Sequence, residues 1–149
     1  MAISSAICSS FKQELLQGKH SLDTSGNGGD TFKLAMFTSS ASLGAATTVY
    51  STSNEISGSG YSAGGATLTN TGVGLDSTTA FTDFSDVSFT SASFTANGCL
   101  IYNTTMAGGS GTTNAVCAVA FGGDKTVSSG TFTIQFPTND ASSAIIRLT

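Results

Sequence analysis

Residues 115–137 begin Ala115-Val116-Cys117-Ala118-Val119-Ala120-Phe121, continue through Gly122-Gly123-Asp124-Lys125, and end Thr131-Phe132-Thr133-Ile134-Gln135-Phe136-Pro137. The first run is apolar but too short for a helix that spans a core. In the last, Phe132, Ile134 and Phe136 alternate with Thr131, Thr133 and Gln135, the pattern of a strand with one buried face. The glycine cluster between them reads as a turn, so the stretch predicts two strands of a hairpin. A lone hairpin is marginal in water and needs further strands over its apolar face. The fold must therefore be rich in β structure.

The rest of the chain supplies those strands. Residues 32–38 alternate, with Phe32, Leu34 and Met36 on one face and Lys33, Ala35 and Phe37 on the other. Val87 and Phe89 alternate with Ser88 and Thr90, and residues 94–102 form a longer strand with Gly98 as a bulge. Residues 104–114, with Gly108-Gly109-Ser110-Gly111, turn that strand back into the one at Ala115. Residues 144–148 add a last strand, and 66–68 a short one. Residues 51–76 are glycine-, serine- and threonine-rich, with a further extended, partly paired segment expected around Tyr61 and loop elsewhere; 19–30 read as loop, and a short helical turn is expected within 39–46. One true helix is predicted over residues 5–17, where Ile7, Phe11 and Leu15 recur every four positions and Gly18 follows as a stop. Ser10 with Gln13 fits a capping box that would start it a turn later. Six to eight strands and one short N-terminal helix predict a mainly β, antiparallel β-sandwich, jelly-roll-like, in a single domain over 1–149 with 1–18 as its helical segment. The helical stripe either covers the sheet of its own subunit or docks on a neighbour.

Composition narrows the function. Charged residues make up only 9% of the 149, and a surface so poor in charge is weakly protected against association. Ten Phe and three Tyr spread along the chain argue for a folded domain rather than a disordered one. A net charge of −4 with five scattered basic residues offers no cationic stripe for nucleic acid. No apolar run reaches membrane-spanning length, and Met1-Ala2-Ile3 lacks the charged start of a secretory signal, so synthesis in the cytoplasm is expected. Cys8, Cys99 and Cys117 have no metal or disulfide spacing and read as buried apolar residues, with 99 and 117 near each other if their strands pair.

Four motifs carry chemistry in their letters only. Gly60-Tyr61-Ser62-Ala63-Gly64 matches a nucleophile elbow, but no helix follows, and the single histidine, His20, lies upstream where that fold needs it downstream. Gly58, Gly60 and Ala63 echo a dinucleotide fingerprint without the helix that would hold a pyrophosphate. Asp23-Thr24-Ser25-Gly26-Asn27-Gly28 resembles half a calcium loop, yet Leu34 stands where the closing acid belongs. Asn103-Thr104-Thr105 is a glycosylation sequon that matters only in a secreted protein. Asp76, Asp83 and Asp86 read as loop carboxylates and His20 as a surface histidine. No catalytic residue, metal site or cofactor is expected, and nothing marks the paired carboxylates a glycan hydrolase needs.

Four stretches carry a resemblance: Phe11-Lys12-Gln13-Glu14-Leu15-Leu16-Gln17-Gly18, Phe32-Lys33-Leu34-Ala35-Met36-Phe37-Thr38-Ser39-Ser40-Ala41, Phe121-Gly122-Gly123-Asp124-Lys125 and Gly130-Thr131-Phe132-Thr133-Ile134-Gln135-Phe136-Pro137. Over essentially its whole length the chain resembles small virion structural proteins of tailed bacteriophages. The resemblance implies a β-sandwich subunit, a homotrimer, that decorates and cements the icosahedral head from outside with the major capsid protein as partner; a fibre- or tail-associated role with receptor or glycan contact is the alternative. Ile7, Phe11 and Leu15 are the expected capsid or subunit contacts.

Overall fold

A computed structural model describes residues 2–24, 29–105 and 114–149. It contains eight strands and one helix in the order β1 (Ala6–Ile7), α1 (Ser9–Leu16), β2 (Phe32–Phe37), β3 (Ala66–Thr67), β4 (Asn70–Asp76), β5 (Thr79–Phe84), β6 (Val87–Asn103), β7 (Asn114–Ile134) and β8 (Ile146–Leu148). The strands form two antiparallel sheets, one of five strands in the order β1-β7-β6-β2-β3 and one of three in the order β4-β5-β8. The mainly β, two-sheet architecture with one short helix is the one the sequence predicts.

The expected hairpin within 115–137 does not form. Residues 114–134 are one strand of 21 residues, and its whole length pairs with β6, from Asn103↔Asn114 at one end to Val87↔Ile134 at the other. The glycine cluster is a bulge rather than a turn. Between Ala96↔Lys125 and Gly98↔Ala120 the register advances two residues on β6 and five on β7, with Gly122 at φ +75° and Gly123 at φ +134°. The physical reason is that β6 offers both halves an apolar partner in register, Leu100 opposite Ala118 and Phe89 opposite Phe132, so both keep a full ladder. Two smaller irregularities compensate each other near Ser91 (φ +50°) and Ser129 (φ +48°). The bulge expected at Gly98 lies on the partner strand instead: Gly98 pairs with Ala120 and Phe37, and the extra residues belong to β7.

The core block is β2 with the adjoining halves of β6 and β7, buried on both faces. The small sheet lies over the face of Phe32, where the Phe84 ring sits 5.7 Å from that of Phe32 and 5.8 Å from that of Phe136. The face of Phe37 and Tyr102 lies under the segment joining β2 to β3. Full burial of each large side chain here contributes about 1.5–3 kcal/mol. That segment has no helical turn at 39–46, and residues 70–76, read as loop from sequence, form β4. Glycines at 72 and 74 hid its alternation; Phe81 of β5 lies across from Gly74, its ring filling the space a Cβ would take.

The helix is shorter than predicted. Ala6 and Ile7 pair as a strand with Ala118 and Cys117, and helical turns begin only at Ser9. Cys8 is the N-cap without a side-chain cap, and Ser10 lies in the first turn with its hydroxyl buried and unpartnered, so no capping box forms. The stop at Gly18 is as expected. At φ +70° it lets its own N–H reach Leu15 O (3.1 Å) and that of Lys19 reach Glu14 O (3.0 Å), a Schellman ending.

Candidate interaction surface

The predicted contact residues lie on two elements. Ile7 is half-buried in β1, Phe11 is 1% exposed in the chain's own core, and Leu15 is half-buried at the core's rim. They are not one helical stripe, because Ile7 belongs to a strand. The N-terminal segment covers the edge of its own sheet. Cys8 N donates to Val116 O (2.9 Å), Ala120 N to the Ser5 hydroxyl (2.9 Å), and on the other side Ser9 N donates to Ala45 O (2.8 Å). Leu16, which follows Leu15, is 91% exposed.

Leu15 borders a larger apolar surface. β4 and β8 present Val73 (58% exposed), Leu75 (73%) and Leu148 (55%), and register places Val73, Leu75, Ala80, Ile146 and Leu148 on one face of the small sheet. Between that face and Leu15 and Leu22 lies an apolar hollow of about 220 Å³. Monomeric proteins rarely leave large apolar side chains so grouped. The sequence obscures this surface because glycines at 72 and 74 break the alternation of β4; the period-two spacing of Val73 and Leu75 is its signal. A second groove of about 790 Å³, evenly polar and apolar, runs along residues 41–54, with Phe37 and Leu100 in its lining.

Two polar clusters hold the fold around these surfaces. All three tyrosines converge on Glu55. Tyr61 OH donates to its Oε1 (2.6 Å), Tyr50 OH to its Oε2 (2.7 Å) and Gly64 N to Oε1 (2.7 Å), while Tyr102 stacks on Tyr50 at 4.4 Å and donates to Gly64 O. Burial, then the bonded carboxylate, push the Tyr50 and Tyr61 hydroxyls far up; burial raises Tyr102 to about 12. The second cluster overturns the reading of His20 as a surface residue. It is buried against Phe11, receives a hydrogen bond from Asn103 Nδ2 at Nδ1 (2.9 Å), and so carries its proton on Nε2 toward Glu14 Oε2 (2.7 Å). Asn114 Nδ2 donates to the other oxygen of Glu14, tying helix, loop and the β6–β7 ends together. Both Glu14 and Asp30, which accepts from Ser21 N and Asn103, are held as structural acceptors.

The remaining motifs resolve as structure. The Gly60–Gly64 letters form a loop with both glycines at positive φ and Ser62 exposed; no helix follows, and the loop delivers Tyr61 to Glu55. Asp83 is buried, accepting from Phe84 N (2.8 Å) and Ile145 N (3.1 Å), and burial raises its carboxyl above the usual range. Asp86 accepts from Phe136 N. Asn103 is fully buried, so the sequon is not displayed. The calcium-like stretch runs into residues 25–28 and the glycine-rich turn at 106–113; both lie outside the described residues. Cys8, Cys99 and Cys117 are buried free thiols; Cys117 lies opposite Ile101, two positions from Cys99, and burial pushes it well up. Among the described residues no helix is long and apolar enough to cross a membrane. Compared with family models, curated proteins and solved structures, the chain finds no match.

Proposed function

We propose that this chain is a structural subunit of a tailed-bacteriophage virion, a decoration (cement) protein that binds the major capsid protein on the outside of the head as a symmetric oligomer, a homotrimer by the resemblance in its sequence. The observation that supports it best is the apolar face of the small sheet, with Val73, Leu75 and Leu148 more than half exposed on a chain only 9% charged. Such a face is soluble when a neighbour covers it, and repeated copies on a shell add many modest contacts into a stable whole. Contact then falls on this face and on Leu15 beside it, whereas Phe11 acts by holding the helix in place.

The test is the copy number of the chain relative to the major capsid protein in purified particles. A ratio near one is expected, and Leu75→Asp with Leu148→Asp should abolish binding to the shell while the isolated subunit stays folded. A few copies per particle would overturn the decoration role in favour of the tail or fibre, where exposed loops become candidate receptor or glycan contacts.

A further inference from the structure

The outer edge of β7 changes character along its length. As far as Ala120 it is covered by the N-terminal segment. Beyond that, β6 is the only strand beside it among the described residues. An unpaired edge exposes a row of N–H and C=O groups that a further strand would satisfy, and proteins blunt such edges with charges, bulges and proline. Residues 122–129 carry those devices: Gly122, Gly123 and Ser129 at positive φ, with Asp124 and Lys125 between. Residues 130–136 carry none before Pro137. They hold no charge, and Phe132 and Ile134 are half-buried on one face while Thr131, Thr133 and Gln135 are exposed on the other.

We propose that this part of the edge pairs with the same edge of a second copy of the chain, antiparallel, about a twofold axis at Thr133. A twofold perpendicular to the sheet keeps each face on its own side, so residues of like parity must meet. With Thr133 on the axis, Phe132 faces the partner's Ile134 and Thr131 the partner's Gln135; apolar meets apolar and polar meets polar. An axis at Phe132 would instead set Ile134 opposite Gly130. The ladder is bounded on one side by the Ser129 bulge and on the other by Pro137, which has no N–H to donate. No complementary charge is asked of the occupant, and the segment is its own best match. This contact is twofold and separate from the threefold assembly and from the virion reading, so it stands or falls without them.

Sedimentation of the full chain over a concentration series tests it. The mass of the smallest species present should double with rising concentration, and the double variant Thr131→Lys, Gln135→Lys should abolish that doubling with unchanged circular dichroism, since both side chains are exposed. As a check that does not depend on that variant folding, Thr133→Cys should form an intermolecular disulfide under mild oxidation much faster than Thr90→Cys, which is also exposed but lies on β6, away from the outer edge of β7. The three native thiols are buried and give little background. A monomer at every concentration, an oligomer indifferent to the two lysines, or equal cross-linking at 133 and 90 would overturn the proposal.

Discussion

Glu55 ties two tyrosines and a glycine turn to one carboxylate. Its two oxygens take three hydrogen bonds, two from tyrosines, and the third fixes the Gly64 turn whose carbonyl receives Tyr102. Bonds to a charged acceptor are worth about 1.5–3 kcal/mol, and removing the acceptor leaves the hydroxyls to be satisfied by water or not at all. Glu55→Ala should therefore cost about 2–4 kcal/mol in urea unfolding, and Glu55→Gln less, because an amide oxygen still accepts from one tyrosine. Nothing in the spacing of positions 50, 55, 61 and 102 announces this cluster, since three lie in an irregular segment and the fourth on β6. His20 was misread for the same reason. Its partners Asn103 and Glu14 meet only when helix, loop and sheet are assembled.

At the scale of elements, glycines decide where strands approach one another. Gly65 lies at φ +75°, and a Cβ there would stand 1.8 Å from Leu34 O, on the backbone of β2. Gly65→Ala should therefore cost about 2–4 kcal/mol through strain and displacement of β3 from β2, read as a lower melting temperature with most of the fold retained. The same residue type misled the reading of β7. A glycine pair between two apolar runs is a good turn signal when the runs can pair only with each other, but here a longer partner strand was available and the pair became a bulge. The helix stop at Gly18 was legible because a Schellman ending is local, needing only the turn before it.

Across the whole molecule, buried thiols and hydroxyls set a pH limit. Burial, with a smaller push from Glu14, raises Cys8 from 9.0 to about 11; burial alone raises Cys99 from 9.0 to about 12; burial first, then Glu55, raises Tyr102 from 10.0 to about 12. A folded-state pKa above the unfolded value means that the unfolded chain ionises first. The stability these groups contribute is present below about pH 9 and is lost as pH rises toward 12. Urea midpoints should be flat from neutral pH to about pH 9 and fall above it, with tyrosinate absorbance appearing together with unfolding rather than before it. A tyrosinate signal in the folded protein well below that fall would contradict the buried arrangement.

What the sequence determined by itself was whatever a window of about ten residues can encode: strands at β2, β6 and β8, a helix stopped at Gly18, a mainly β fold, and cysteines that behave as apolar side chains. Alternation and caps are short-range signals, and composition needs no geometry at all. The tertiary structure decided which strands pair, and with that the rest. It made residues 114–134 one strand, placed Ile7 in a sheet and Phe11 in the core, brought Tyr50 and Tyr61 to Glu55, and left Val73, Leu75 and Leu148 exposed. Pairing is a competition among distant segments for the same backbone groups and the same apolar face, and no stretch of the chain holds that information alone.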